Sequence, residues 1–447
     1  MQTRKDHLQA YRFAMGRLAT ALVSGDPGRG ESPTKRAALG TFLGAGLVVL
    51  LCIGFGVYGL ISPPTNASWR SPGSILVEQD TGSRYLYLGG ELRPVLNYAS
   101  ALLIEGKGAT VRDVSAASLG RTPHGAPVGI PGAPDSLPAN SALLSGAWTR
   151  CLRSDLPGGQ VVDFAPAGLT SALPSGRQLL LGGPDGRRYL LWQGVSYPVP
   201  SDSTLIALGL DGDQPVPAPQ SWLAALPTGV PLAAAPIAGS GHPAGQVAGR
   251  PVAVGQQFVT AEGGADHDYV MTSAGIAPVG ATESALLAAR PGASAIRRVD
   301  ATALAAATVG DAGSPPGSSL PDVLDAPAFT APGQVVCLRQ SSDGAALTTA
   351  VVVERGQAAT GGRSVLVPPT GGVLAVDQQQ LAAQVSDPQT YLITDQGVAY
   401  ALGDEQAAPT LGLSGAATVA LPPAVLAALP QGPVLDSSAA DATVKGG

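Results

Sequence analysis

Two cysteines stand in matching tripeptides and are the residues best suited to covalent chemistry. Cys151 and Cys337 each begin the sequence Cys-Leu-Arg, far apart in the chain. In an oxidising compartment two thiols most simply form a disulfide, and the alternatives are a reactive thiol or a metal ligand. Because the sequence has no Cys-x-x-Cys pair and no histidine near either cysteine, we favour a disulfide and predict no metal site.

Residues that could act as an acid, a base or a nucleophile form one further cluster. Asp266-His267-Asp268 is typical of metal ligands or an acid–base pair, but it directly precedes a predicted strand, where a polar turn is expected anyway. The sequence has no GxxxxGK[ST] phosphate loop and no GxSxG nucleophile elbow. We therefore predict a protein that is not an enzyme and has no cofactor, and we disfavour an envelope hydrolase.

The composition indicates a chain of many strands and turns. Only 13% of the residues are charged and Gly and Pro number 59 and 40, yet 45% are hydrophobic and occur in short runs, which argues against disorder. Residues 1–36 hold seven basic and three acidic side chains, a net charge of +4. Because the whole chain has a net charge of −6, the remainder must carry −10. This distribution argues against nucleic acid as a partner.

One segment is long and apolar enough to cross a membrane. Residues 37–61 contain no charge, and Lys35 and Arg36 immediately precede them. Their length predicts a transmembrane helix rather than a signal peptide, and the positive-inside rule places the N-terminus in the cytoplasm. We thus expect a single-pass plasma-membrane protein with most of its chain outside. Gly40 and Gly44 form a GxxxG pattern that favours close helix packing, although glycine is common in membrane helices generally.

An amphipathic helix is predicted ahead of the membrane segment. Ser24-Gly25-Asp26-Pro27 would end it. Its apolar residues recur at alternating steps of three and four, which places them on one stripe: Leu8, Tyr11, Met15, Leu18 and Leu22. With basic residues at both edges, this stripe suits docking on a cytoplasmic protein or on anionic lipid, and the sequence leaves both open.

The outer domain contains an internal repeat. Four segments begin with Tyr, have a Gly five or six residues later, and have a Pro (Tyr400 in the fourth) nine residues after the first Tyr; they begin at Tyr85, Tyr189, Tyr269 and Tyr391. This pattern predicts four β-hairpins. Insertions after the first and third repeats contain the two Cys-Leu-Arg tripeptides, which suggests that each half of the chain contributes strands to a shared central sheet.

We therefore predict a mainly β outer domain with some short helices, in which four small β-rich repeats surround a central sheet with pseudo-two-fold symmetry. The predicted organisation is 1–36 cytoplasmic helix and basic linker, 37–61 transmembrane helix, 70–120 first repeat, 121–175 first core segment, 176–235 second repeat, 236–312 third repeat, 320–368 second core segment, 369–435 fourth repeat and 436–447 flexible tail.

Together these features resemble the EccB family, a membrane component of type VII (ESX) secretion systems in mycobacteria and other actinobacteria. The resemblance covers essentially the whole chain, and the order of its elements is more specific than any one motif. It depends on His7-Leu-Gln-Ala-Tyr-Arg-Phe13, Arg17-Leu-Ala-Thr-Ala-Leu22, Ser32-Pro33 before the single span, Gly129-Ile-Pro-Gly-Ala-Pro-Asp135 before Leu137-Pro138, and the Trp148…Cys151 segment with Cys337.

The resemblance implies a structural subunit of an inner-membrane complex that exports small helical proteins. The partners it implies are EccC, EccD and EccE-like subunits, the mycosin protease, and further copies of the outer domain. EccB proteins have also been labelled ATPases, and this label is the only reason to expect ATP as a cofactor. The missing phosphate loop puts the label in doubt for this sequence. The competing interpretation is a membrane-anchored cell-wall-binding protein, which has little need of a patterned cytoplasmic helix.

Overall fold

The structure is a computed structural model and describes residues 4–24, 34–61, 67–307, 317 and 319–444. Its α-helices are α1 Arg4–Ser24, α2 Thr34–Ile61, α3 Tyr98–Glu105, α4 Ala116–Leu119, α5 Asp202–Ala207, α6 Gln220–Leu223, α7 Ala281–Ala288, α8 Ala301–Ala305, α9 Gln357–Thr360, α10 Gln378–Ala382, α11 Ala407–Thr410, α12 Pro423–Leu426 and α13 Ser437–Asp441. Short 3-10 helices cover Ala67–Arg70, Asn140–Ala142 and Pro157–Gly159. The predicted Ser32-Pro33 helix start lies outside the described residues.

The strands follow Arg70 in sequence. They are β1 Ser74–Glu78, β2 Arg84–Leu88, β3 Glu91–Pro94, β4 Thr110–Val114, β5 Trp148–Leu152, β6 Gln160–Asp163, β7 Thr170–Ala172, β8 Gln178–Gly182, β9 Arg188–Trp192, β10 Val195–Val199, β11 Val216–Pro217, β12 Pro243–Val247, β13 Arg250–Ala253, β14 Gln257–Glu262, β15 Ala265–Thr272, β16 Gly275–Val279, β17 Arg297–Arg298, β18 Gln334–Asp343, β19 Ala346–Arg355, β20 Val365–Leu366, β21 Gly372–Asp377, β22 Thr390–Thr394, β23 Ala399–Ala401 and β24 Val419–Leu421.

Four of the sheets have the same strand order. Each consists of three consecutive antiparallel strands and a fourth strand that lies parallel to the first: β3-β2-β1-β4, β10-β9-β8-β11, β16-β15-β14-β17 and β23-β22-β21-β24. A helix follows the third strand each time (α3, α5, α7, α11), and a second follows the fourth (α4, α6, α8, α12). We call these segments units 1 to 4; they cover 74–119, 178–223, 257–305 and 372–426. The element order is β-β-β-α-β-α in the first three, and unit 4 has the further helix α10 between its first and second strands.

The predicted hairpins coincide with the second and third strands of the units. In the first three, the opening Tyr pairs directly with the Pro nine residues later, as in Tyr85 with Pro94. In unit 2, Gln193 and Gly194 both have positive φ (47° and 80°), the conformation that a two-residue hairpin turn requires. In unit 4 the register differs by one, and Tyr391 pairs with Ala401 rather than Tyr400.

A Pro-x-Gly segment closes three of the units and was not identified from the sequence. In each, the middle residue bridges in parallel to the third strand of the unit; the segments are Pro123-His124-Gly125, Pro227-Thr228-Gly229 and Pro430-Gln431-Gly432. The glycine N–H donates to the same strand, at 2.8 Å from Gly432 to the Ala399 carbonyl. A tyrosine ring covers the glycine in two units, Tyr197 over Gly229 and Tyr400 over Gly432.

We expect Gly432→Ala to destabilise the protein by about 2–3 kcal/mol, because a Cβ at this position would overlap the Tyr400 ring, which is buried and has little room to move. Thermal or denaturant unfolding of the full chain in detergent measures this loss. Gly362→Ala is the matched control, since no atom of the described residues beyond its chain neighbours lies within 4 Å of a Cβ there. Equal unfolding midpoints for the two variants would show that the tyrosine–glycine contact has no role in stability.

The central sheet has the order β20-β6-β5-β18-β19-β7 and joins strands from two distant regions of the chain. β5, β6 and β7 come from residues 148–172, and β18, β19 and β20 from residues 334–366. Its hydrophobic cores are shared with unit 4 through Trp148 and with unit 2 through Leu338. Unit 1 shares a core with unit 4, and α7 of unit 3 packs against the core of unit 2.

The prediction of a flexible tail over residues 436–447 is wrong as far as Val444. Asp436 caps α13 by accepting a hydrogen bond from the Ala439 N–H, and this places Ala440, which has no exposed surface, in the core shared with α3. Val444 then donates its N–H to the Pro127 carbonyl at 2.9 Å. Small side chains permit this close packing against unit 1, although their composition resembles that of a frayed terminus. Residues 445–447 lie outside the described ranges.

Candidate functional site

The two cysteines form a disulfide within the central sheet, which confirms the sequence-based prediction. Cys151 on β5 and Cys337 on β18 are directly paired neighbours, with their sulfur atoms bonded at 2.12 Å. Neither residue has exposed surface. The bridge therefore joins the two distant chain segments at the position where their strands meet.

A buried carboxyl group lies beside this disulfide. Glu354 on β19 has no exposed surface, and its Oε2 accepts a hydrogen bond of 2.6 Å from the Thr149 hydroxyl. The same oxygen lies 3.3 Å from the Cys151 sulfur. Its other oxygen, Oε1, has no hydrogen-bond partner among the described residues when the group is ionised. Glu354 thus has an oxygen that is satisfied only if the carboxyl group carries a proton.

The surroundings of Glu354 favour the protonated form. The pKa of Glu354 is raised to about 8, chiefly by burial. The hydrogen bond from Thr149 lowers it, whereas the neighbouring Asp163 carboxylate raises it by accepting the proton in a hydrogen bond and by repulsion. Asp163 is fixed by the Ala165 N–H, which donates to its Oδ1 at 2.7 Å. The two sulfurs and a Glu354 oxygen lie within 4.8 Å of one another, the spacing of a metal site. The sulfurs are bonded to each other, however, and offer no thiolate ligand.

The opposite face of the central sheet connects it to unit 2. The Arg150 side chain is 1% exposed and donates from Nη2 to the Ser221 carbonyl at 2.9 Å. The Trp222 indole donates in return to the Arg150 carbonyl, also at 2.9 Å. Burial lowers the pKa of Arg150 to about 10, so the guanidinium is still charged at neutral pH. These bonds fix α6 of unit 2 on the sheet.

The Asp266-His267-Asp268 cluster lies within β15 rather than in a turn before it. The Asp266 carboxylate accepts two hydrogen bonds from the Arg298 guanidinium on β17, at 3.0 and 2.7 Å. This arrangement is a surface ion pair that reaches across β14, the strand between β15 and β17.

The predicted docking stripe lies on α1, and all five of its side chains are at least half exposed. Their exposed fractions are 54% for Leu8, 66% for Tyr11, 50% for Met15, 58% for Leu18 and 84% for Leu22. Phe13 lies on the opposite side of the helix and is 63% exposed, with the Arg17 guanidinium 5.7 Å from its ring centre. The docking role of the stripe stays a prediction, but so much apolar surface requires a cover of protein or lipid.

The helix α2 contains the one segment within the described residues that is long and apolar enough to span a membrane, Ala37–Tyr58. Gly40 and Gly44 lie one turn apart on it, and among the described residues nothing outside the helix's own backbone approaches within 4 Å of a Cβ at either position. A second helix could therefore pack closely there, and this packing role also stays a prediction.

Two features of the site were missed from the sequence and had weak signals in it. Glu354 is a single acidic residue at the end of the apolar run Ala350-Val-Val-Val353, which is typical of a carboxyl group in a buried strand. The proline of the Pro-x-Gly segment is, in units 2 and 4, the last residue of the same pentapeptide, Leu-Ala-Ala-Leu-Pro, at residues 223–227 and 426–430. This identity could have aligned the ends of the two units.

The chain is similar to known proteins in both sequence and fold. The family described as "Type VII secretion system ESX-1, transport TM domain B" matches residues 1–446. The chain is 27% identical to the "ESX-1 secretion system ATPase EccB1" of Mycolicibacterium smegmatis (strain MKD8), over 98% of this chain and 94% of that protein. It is 29% identical to the "ESX-3 secretion system ATPase EccB3" of Mycobacterium tuberculosis (strain ATCC 25618 / H37Rv), over 54% of this chain and 46% of the relative.

Two solved structures share the fold. A chain of an intact ESX-5 inner membrane complex has a TM-score of 0.58 at 23% identity, with 100% of this chain and 96% of that chain covered. A chain of the EccB3 dimer from the ESX-3 core complex has a TM-score of 0.55 at 25% identity, with 82% and 99% covered. The mainly β region that follows α2, its short helices and the single apolar helix agree with these structures. Because the family match extends over nearly the full length, including α1, α2 and the bridged central sheet, the chain belongs to the EccB family of type VII secretion systems.

Proposed function

We propose that this protein is a structural subunit of a type VII secretion inner-membrane complex and supports the assembly of the export apparatus. The observation that carries the proposal is the exposed apolar stripe of α1, which precedes a membrane-length helix whose surface is also exposed. A protein working alone would leave the stripe uncovered in water. The relatives are described as belonging to inner-membrane complexes, and such a complex supplies the missing partners.

The proposed topology has α1 in the cytoplasm, α2 across the membrane and residues 67–444 outside. The net charge of +4 before residue 37 supports this orientation, since cytoplasmic segments carry an excess of Lys and Arg. In the outer domain, we propose that units 1 to 4 are repeats related by a pseudo-two-fold axis through the central sheet. Their shared strand order supports this, as do the cores that join unit 4 to unit 1 and unit 2 to unit 3.

The partners that the proposal implies are EccC, EccD and EccE-like subunits, with the mycosin protease at the outer face. Self-association of the outer domain also belongs to the proposal, since one solved relative is described as a dimer. Several relatives are named ATPases. Because this sequence has no GxxxxGK[ST] loop, we propose a structural role, and the ATP hydrolysis rate of the purified complex with and without this subunit tests that choice.

Native purification of a tagged full-length copy in mild detergent tests the proposal. We expect a large assembly that contains a multi-domain ATPase and a polytopic membrane protein, identified by mass spectrometry. A chain that elutes alone and binds cell-wall material would overturn the proposal in favour of the cell-wall-binding interpretation.

A substitution in α1 tests the docking stripe. We expect Leu18→Glu to reduce recovery of the partners at least tenfold, because burying a leucine contributes roughly 1.5–3 kcal/mol and burying a carboxylate is costly. Gln9→Glu adds the same charge on the opposite side of the helix and should leave recovery unchanged. Equal recovery with the two variants would show that the stripe contacts no partner.

A further inference from the structure

A cleft in unit 1 combines two arginines with two aromatic rings. Its volume is about 510 Å³, and it is lined by Trp69, Arg70, Tyr87 and the segment 117–123, which includes Arg121. Trp69 is 3% exposed and meets Tyr87 edge-to-face, with ring centres 5.4 Å apart. These two rings form a rigid wall beneath the Arg70 guanidinium.

The Arg70 guanidinium lies over this wall. It is 4.9 Å from the Trp69 ring centre and 5.8 Å from that of Tyr87. A guanidinium stacked on aromatic rings keeps its N–H groups free around its edge, where they match the oxygens of a phosphate. The stacking therefore holds the cation in place without using its hydrogen-bonding capacity.

The charges in this cleft have no carboxylate opposite them. Within the described residues of the chain, neither Arg70 nor Arg121 forms an ion pair. Glu91, the nearest acidic residue in sequence to the cleft-lining Gly90, is directed instead at Arg93, with 3.9 Å between charged atoms. Two uncompensated guanidinium groups in one cleft attract an anion.

The position of the cleft restricts the source of that anion. Trp69 follows Ile61, the last residue of α2, by only eight residues, and a chain of that length spans at most about 28 Å. The cleft consequently lies close to the surface of any bilayer that α2 crosses. Trp and Tyr are also the residues enriched at the level of lipid headgroups.

We propose that this cleft binds a phosphate diester, and that its source is the headgroup of an acidic phospholipid in the outer leaflet. The choice of a lipid depends on the proposed topology, in which unit 1 follows the membrane helix on the outer side. A bound headgroup would fix unit 1 against the bilayer and so orient the outer domain relative to the membrane surface.

Full-length protein in detergent tests this site by native mass spectrometry and tryptophan fluorescence. The probes are dihexanoyl phosphatidylglycerol, the corresponding phosphatidylcholine, and inorganic phosphate. We expect the phosphatidylglycerol to bind. The phosphatidylcholine should not bind, because the positive charge of its choline group is repelled by the two guanidinium groups of the cleft. Arg70→Gln should weaken phosphatidylglycerol binding at least tenfold, and Arg121→Gln, which removes an exposed side chain of the same cleft, should also weaken it.

Arg112→Gln is the matched control, since Arg112 is an exposed residue on β4 of the same unit and does not line the cleft. If Arg112→Gln and Arg70→Gln weaken phosphatidylglycerol binding equally, or if the two lipids bind equally well, the proposed binding site is wrong. Inorganic phosphate that binds as tightly as phosphatidylglycerol would overturn the lipid source. Partner recovery in the same preparations separates this proposal from the proposed function. If the cleft binds no lipid, the partners should still be recovered; if no partners are recovered, lipid binding can still be measured.

Discussion

Replacing Cys151 and Cys337 together with alanine will lower the free energy of unfolding by roughly 4–5 kcal/mol. The reason is the length of chain that the bridge closes, 186 residues, because a cross-link between distant positions removes much of the conformational entropy of the unfolded state. Denaturant unfolding of the full chain in detergent measures the change. Both sulfurs are buried among Val161, Val352 and Ala358, so the alanine pair also tests the packing of this cluster.

The third cysteine provides the control. Cys52 is a free, exposed residue on α2, and Cys52→Ala should leave the unfolding midpoint of the outer domain unchanged. If the double alanine variant instead unfolds at the same denaturant concentration as the natural protein, the hydrogen bonds between β5 and β18 hold the two halves of the central sheet without the bridge.

Glu354 should make the protein less stable as the pH rises, with an effect of at most about 5 kcal/mol. Its pKa is about 8 in the folded protein, against an ordinary value of 4.5 in the unfolded chain. Between these values the folded state binds a proton that the unfolded state has lost. The stabilisation is therefore complete below pH 4.5 and is lost as the pH increases through 8.

Glu354→Gln isolates this contribution because glutamine cannot ionise. We expect the free energy of unfolding of the natural protein to fall relative to that of the variant between pH 4.5 and about pH 8. Glu405→Gln, at an exposed position, should follow the natural protein throughout. Parallel profiles for the natural protein and Glu354→Gln would show that Glu354 is already ionised in the folded state.

The local features of the fold could be predicted from the sequence. A hairpin joins strands that are adjacent in the chain, so the Tyr, Gly and Pro positions were sufficient to locate β2 with β3 and its three equivalents. The register of unit 4 differs because its turn is longer: the Thr394 N–H reaches the Val398 carbonyl at 3.1 Å, beyond Gly397. The disulfide could be predicted because only two cysteines lie outside the apolar segment.

The features that depend on distant residues could not be predicted in the same way. The fourth strand of each unit lies parallel to the first, after a helix, and β11 and β17 are only two residues long, too short to have a sequence pattern. The Thr149 hydroxyl that bonds Glu354 is 205 residues away from it. Similarly, the small side chains of 436–444 gave no indication that unit 1 provides a surface for α13.

The separation of β5 from β18 determines an order of events during synthesis. β6 can pair with β5 as soon as both have been made, but the other edge of β5 has no partner until the ribosome has passed Asp343. Units 2 and 3 are made and can fold in this interval, while Cys151 remains a reduced thiol beside an open strand edge. A neighbouring nascent chain offers the same strand and the same thiol, so the interval exposes the protein to intermolecular pairing and mixed disulfides. Correct folding of this subunit consequently depends on how quickly the second half of the chain is synthesised.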